Sequence, residues 1–191
     1  MADNPFRIVL GITGSIAAPK TQSLLISLQR KYNCEVRVAM TRSAQRFIGE
    51  ASLRGVLGIA PYLDIWTSPE TGAGETHVQW GNWADAILIA PATASTIARL
   101  VSGQYDDPVT LVASMIEESR WFISPAMAHE MWTKKATERN VATLSEWGAT
   151  LLGPVSGNVA SGQVGKRMME PDEIASKLVS SLKTLGKRAT N

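Results

Sequence analysis

The sequence predicts an α/β protein in three layers, a parallel sheet with helices on both faces. Three observations carry this expectation. Short apolar runs recur along the chain, at Arg7–Ile12, Ala86–Ala90 and Arg120–Ser124. Segments with helical spacing alternate with them. Several strands end in turns of small and hydroxyl residues, as at Gly11-Ile12-Thr13-Gly14-Ser15. A strand that is apolar on both sides is covered on both faces, which is the habit of parallel sheets. Strand–helix alternation gives the same answer, because parallel neighbours need crossover connections.

Taken in order, Arg7–Ile12 is a buried strand and Thr13-Gly14-Ser15 its turn. A helix is expected from Ile16 to Lys31, with Leu24, Leu25, Leu28 and Tyr32 at helical spacing. Glu35–Met40 is the second strand. Thr41-Arg42-Ser43 reads as a helix start with Ser43 as N-cap. Asp64–Trp66 is a candidate short strand, and Ser68–Thr76 a glycine-containing loop. Ala86–Ala90 is the central strand, ending at Pro91, with a helix over Ser95–Ser102. A helix over Val109–Glu117 leads to the strand Arg120–Ser124, which also ends at a proline. Glu130–Glu146 is helical, Thr150–Gly153 is a last short strand, and Pro171 opens a terminal helix, where proline fits the first turn. The order fits a flavodoxin-like or Rossmann-like sandwich. It shows no internal repeat and no interior linker, so residues 1–191 are expected to form one domain.

Composition excludes several functions. The chain has 191 residues, 45% hydrophobic and 19% charged, an ordinary globular balance. A net charge of +2 with scattered basic residues gives no nucleic-acid surface. The local excess at Lys183, Lys187 and Arg188 reads as a solvated helix end, and Gly186 to Asn191 is expected to be mobile. Cys34 is the one cysteine, so no intramolecular disulfide can form, and no metal site is expected. Cys34 reads as a packing residue. No run of about 18 apolar residues predicts a membrane span. The start Met1-Ala2-Asp3-Asn4-Pro5 lacks the regions of a signal peptide, so a cytoplasmic location is expected.

Chemistry is expected beyond the carboxyl ends of the strands, where open α/β sheets bind ligands. Three turns suit that role: the one at Gly14 and Ser15, Ala90-Pro91-Ala92-Thr93-Ala94-Ser95-Thr96, and Ser124-Pro125-Ala126-Met127-Ala128. Each carries hydroxyls or free amides and precedes a helix, whose N-terminus favours anions. The first turn is neither a dinucleotide fingerprint nor a Walker A loop. His77 lies at a polar loop-to-helix entry and can exchange a proton near neutral pH, making it the base candidate. His129 opens a helix and reads as a surface residue. The tryptophans read as core or interface residues, with Trp80 and Trp132 candidates to lie near a ring-shaped ligand.

Together these pieces resemble the homo-oligomeric flavin-containing cysteine decarboxylases. That family includes phosphopantothenoylcysteine decarboxylase of coenzyme A synthesis and peptidyl-cysteine decarboxylases of the epidermin-maturing type. The resemblance runs from Arg7 to Pro171. It rests on Gly11–Ala17, Thr41–Ile48, His77, Trp83-Ala84-Asp85, Pro91–Thr96, Gly103–Asp107, Pro125–Trp132, Gly157–Gly162 and Arg167-Met168. It implies bound FMN, with Gly14, Ser15 and Ser43 at the phosphate end, Thr93, Ala94, Ser95 and Thr96 lining the flavin, and Ala126 as a backbone contact. Asp106 matches a family aspartate on the helix after the flavin segment. His77 matches the family's base. The resemblance also implies a homo-oligomer, a trimer-based dodecamer with flavin at subunit contacts. The family oxidises the cysteine thiol to a thioaldehyde; the thiocarbonyl then accepts electrons as carbon dioxide leaves, giving an enethiolate. The flavin carries the redox step while the protein orients and exchanges protons.

Three residues depart from the family pattern. Ala128 replaces an asparagine that grips the substrate carboxylate, beside Met127. Losing a hydrogen bond to a charged group costs about 1.5–3 kcal/mol, or about ten- to hundredfold in rate. Activity is then lost, or His129 substitutes, or the alanine is an engineered change. Ser161, beside Gly162, replaces the cysteine that lets coenzyme A enzymes reduce the enethiol. Ser95 replaces an asparagine but keeps a hydrogen-bonding group. A chain without that cysteine is expected to stop at the enethiol. The favoured expectation is therefore a decarboxylase of peptides ending in cysteine, as in aminovinyl-cysteine synthesis, with residues 155–169 as a clamp. The alternatives are a coenzyme A-type enzyme or a non-catalytic interaction relative. The related flavin prenyltransferase group fits the Pro125–Trp132 pattern poorly.

Overall fold

The computed structural model describes residues 4–58, 60–67, 75–158 and 164–186. Its central sheet contains β1 (Arg7–Ile12), β2 (Glu35–Met40), β3 (Ala86–Ala92), β4 (Trp121–Pro125) and β5 (Thr150–Leu151). All four pairings are parallel, in the order β2-β1-β3-β4-β5. The two faces alternate residue by residue, as the pleat requires. Ile8, Leu10, Ile12, Leu88, Ala90 and Phe122 pack on one side in a core shared with α1 (Thr21–Ile26), α2 (Glu50–Leu57) and the terminal helix α8 (Pro171–Leu185). Val9, Ile87, Ile89, Trp121 and Ile123 pack on the other, against α3 (Thr76–Trp83), α4 (Ala94–Ser102), α5 (Pro108–Ala113) and α7 (Lys135–Glu146). Two cores on one sheet make the expected three-layer, flavodoxin-like sandwich. Each fully buried Leu or Ile contributes about 1.5–3 kcal/mol.

This strand order has a switch point between β1 and β3, where successive crossovers leave in opposite directions. A crevice opens there at the carboxyl edge of the sheet. Close packing beneath it depends on Gly11, because a Cβ there would lie 2.6 Å from Val109 Cγ1. Cys34 is 5% exposed. Burial pushes its thiol up to about 11, which suits a packing residue and not a nucleophile.

Several local expectations are corrected. The helix expected from Ile16 starts at Ala18 and passes from 3-10 to α to π geometry, ending at Lys31. Ser43 does not cap with its side chain; the Thr41 hydroxyl oxygen accepts the Ala44 N–H instead, at 3.2 Å. Asp64–Trp66 is a turn, because the Asp64 carboxylate accepts the Trp66 N–H at 3.0 Å. Tyr62, two residues earlier, makes the bridge to Ala39. Strand β3 runs on to Ala92 and so carries Pro91 inside it, while β4 ends on Pro125. Helix α5 ends at Ala113, and the freed Ile116 carbonyl accepts the buried Trp121 indole N–H at 2.7 Å. The single helix expected over Glu130–Glu146 is α6 (His129–Trp132) followed by α7, because Lys134 is extended. An unforeseen antiparallel hairpin joins β6 (Val155–Asn158) and β7 (Val164–Arg167). Residues 187–191 lie outside the described residues. Among the described residues, no helix is long and apolar enough to cross a membrane.

Candidate functional site

Thr13, just past β1, ties the switch point together. Its hydroxyl donates to the Pro91 carbonyl at 2.6 Å and accepts the Thr93 N–H at 3.1 Å. One buried side chain thus locks the turn after β1 to the turn after β3. The turn after β2 joins them, since Gly14 has no Cβ. A Cβ there would lie 2.5 Å from Ser43 Cβ and 3.1 Å from the Ser43 carbonyl carbon. Thr93 caps α4, its hydroxyl oxygen accepting the Thr96 N–H at 3.3 Å.

These turns enclose a cavity of about 460 Å³, lined by Gly14, Thr41, Arg42, Ser43, Thr93, Ser95, Thr96, Arg99, Asp106, Asp107 and Met131. It combines hydroxyls, a helix N-terminus and two guanidinium groups, a donor set suited to an anion. The charges are unequally engaged. Arg99 pairs with Asp106 and lies 3.9 Å from Asp107. Asp107 also caps α5 through the Val109 and Thr110 amides. The Arg42 side chain makes no ion pair among the described residues.

Of the residues singled out in the sequence, Gly14, Ser43, Thr93, Ser95 and Thr96 line this cavity. Ser15 sits in the adjoining turn, where its hydroxyl oxygen accepts the Ala17 N–H at 3.3 Å. Ala94 opens α4. Ala126 donates its N–H to the Ala92 carbonyl at 3.0 Å. Met127 donates to the Lys166 carbonyl at 3.0 Å, which docks the β6–β7 hairpin on this loop. Ala128 is exposed at the N-cap of α6 and makes no side-chain cap, a position where asparagine is favoured. His129 is exposed in the same helix. Ser161 and Gly162 lie outside the described residues. Asp106 is in the loop before α5 and not on a helix, correcting the expectation.

His77 does not line the cavity. It lies in the first turn of α3, half-buried, with Nδ1 buried and without a hydrogen-bond partner. The Trp80 Nε1 and Thr76 Oγ1 atoms are buried and unpartnered in the same helix. Trp80 meets the Tyr62 ring edge-on at 5.6 Å, and Arg37 lies 4.3 Å from the Trp83 ring centroid. These contacts, and the entry of the chain into β3 directly after α3, put His77 toward the carboxyl edge. Sequence reading missed Arg42 and Arg99. The signal for Arg42 was its place just past the end of β2, between the hydroxyl residues Thr41 and Ser43.

The fold and this crevice define a flavin-binding α/β protein, and sequence comparison agrees. The flavoprotein family matches residues 1–183, and the chain belongs to it. The bifunctional coenzyme A biosynthesis protein CoaBC of Haemophilus influenzae is 41% identical over 172 residues, covering 90% of this chain and 42% of that protein. The chain therefore spans about two fifths of that relative. A cysteine-to-serine mutant of PPC decarboxylase, complexed with pantothenoylaminoethenethiol, matches with TM-score 0.83 and 30% identity over 94% of this chain and 100% of that one. The FMN-dependent cysteine decarboxylase SpaF matches with TM-score 0.76 and 30% identity, over 92% and 97%. The likeness to CoaBC favours the coenzyme A-type alternative over the peptidyl reading expected from the sequence, and aminovinyl-cysteine synthesis gains no support.

The residues present fit a flavin phosphate. The approach of Gly14 to Ser43 leaves a cradle that a Cβ would fill, and hydroxyls and amides from three turns surround it.

Proposed function

We infer that the chain is an FMN-dependent decarboxylase acting on the cysteine end of a phosphopantothenoylcysteine-type substrate. The observation that carries the flavin part is the hydroxyl-lined cavity at the β1/β3 switch point. The substrate class rests on the 41% identity to CoaBC. When bound, the flavin supplies the redox step that oxidises the thiol. The chain itself would hold the phosphate end through Gly14, Ser15 and Ser43, with Thr93, Ala94, Ser95 and Thr96 lining the flavin and Ala126 as a backbone contact. His77 takes the thiol proton. Met127, Ala128, Ser161 and Gly162 bind the substrate. Exposed Ile16 (67%) and Trp66 (80%) are in keeping with a homo-oligomer. A cytoplasmic location is proposed with this reading.

Ser161 favours a second reading, a decarboxylase of peptides ending in cysteine that stops at the enethiol. Mass spectrometry separates the two. Phosphopantothenoylcysteine is expected to be consumed, and a peptide ending in cysteine left unchanged. With serine at position 161 the expected loss is about 46 mass units, carbon dioxide plus two hydrogens, and not about 44 for carbon dioxide alone. Turnover of the peptide only would overturn the coenzyme A-type reading. Ala128→Asn is expected to raise turnover about ten- to hundredfold by restoring a carboxylate donor. It is also expected to stabilise the fold by about 1 kcal/mol through the α6 cap, read as a thermal shift.

A further inference from the structure

We propose that Arg42 is the residue by which this chain selects phosphorylated flavin over riboflavin. The inference rests on the flavin site described above and concerns a residue that the sequence motifs left unassigned. Two guanidinium groups line the cavity, Arg42 and Arg99. Arg99 is engaged by Asp106, with Asp107 3.9 Å away. Those carboxylates balance its charge, so Arg99 adds little net attraction for an anion. Arg42 is exposed and makes no ion pair or side-chain hydrogen bond among the described residues. It therefore brings to the cavity a guanidinium that no carboxylate engages directly among the described residues.

The local fold holds it there. Thr41 donates its N–H to the Ile12 carbonyl at 3.1 Å, and its hydroxyl oxygen accepts the Ala44 N–H at 3.2 Å. The backbone on both sides of Arg42 is thus fixed, and the next residue, Ser43, is the one that closes on Gly14. A guanidinium suits a phosphate because it donates in a planar fork. The hydroxyls of Ser43, Thr93, Ser95 and Thr96 can serve a neutral ribityl chain as readily as an anion. Arg42 responds to the dianionic charge that riboflavin lacks. Asp106 and Asp107 face the same cavity and repel an anion, which makes an unpaired cation more necessary.

The test is titration of the flavin-free full chain with FMN and with riboflavin, followed by flavin fluorescence, for wild type, Arg42→Gln and Arg42→Lys. Arg42→Gln is expected to weaken FMN about ten- to hundredfold and to leave riboflavin within about twofold. Arg42→Lys is expected to keep most of the preference. FMN affinity of the wild type is expected to fall with added salt more steeply than that of Arg42→Gln. Equal weakening of both ligands, or no weakening of either, overturns the role of Arg42 and leaves the flavin site standing. Failure of the wild type to bind either ligand overturns the flavin site itself, and the proposal with it.

Discussion

His77→Asn is expected to slow decarboxylation by about 100- to 10,000-fold, the usual contribution of a positioned acid or base. Flavin content is expected to stay unchanged. The second expectation follows from placement: His77 is on α3, while the cavity is built by the turns after β1, β2 and β3. Its Nδ1 has no hydrogen-bond partner, so the substitution breaks no bond at that buried atom. Substrate depletion and the visible spectrum, measured on one preparation, separate the two effects. Loss of flavin in the variant would make His77 a binding residue, and undiminished turnover would remove it from the chemistry.

Gly14→Ala is expected to give a folded protein with little flavin. The added methyl must lie 2.5 Å from Ser43 Cβ and 3.1 Å from a Ser43 backbone carbon. Neither is the free end of a flexible chain, so the two turns must part. Overpacking of this kind costs about 1–3 kcal/mol. The strain falls on the cradle and not on the two cores. The expected outcome is a modest fall in melting temperature with FMN affinity weakened about tenfold or more. Wild-type flavin content in this variant would show that the Gly14–Ser43 approach does not form the phosphate end.

The sheet was legible because its strands are continuous apolar runs separated by helices. Ala86–Ala90 could hardly be anything else, and it emerged as the fully buried centre of the sheet. The β6–β7 hairpin was not legible. Val155-Ser156-Gly157-Asn158 and Val164-Gly165-Lys166-Arg167 have no sustained alternation of apolar and polar residues. Its pairing is anchored from outside by Met127. The break between α6 and α7 carries no proline or glycine at Thr133-Lys134, so periodicity runs through it.

The site was half legible. Hydroxyl-rich turns at strand ends are visible in the sequence, and four residues picked on that ground, Gly14, Thr93, Ser95 and Thr96, line one cavity with Ser43, which the family resemblance supplied. What no local pattern shows is the cross-link at its heart, where Thr13 bonds to Pro91 and Thr93 across about 80 positions. The choice of substrate went further than the residues allowed. Ser161 argued for a product, an enethiol, and the sequence reading extended that to a peptide. The likeness to CoaBC returned the emphasis to a coenzyme A-type substrate.

Every expected effect on turnover or flavin affinity depends on a flavin bound in the crevice between β1 and β3. The most direct measurement is the visible absorbance spectrum of the purified chain, before and after incubation with FMN and removal of the excess. A yellow protein with the bands of an oxidised flavin is the predicted result. A protein that is colourless as purified and stays colourless after incubation would contradict it.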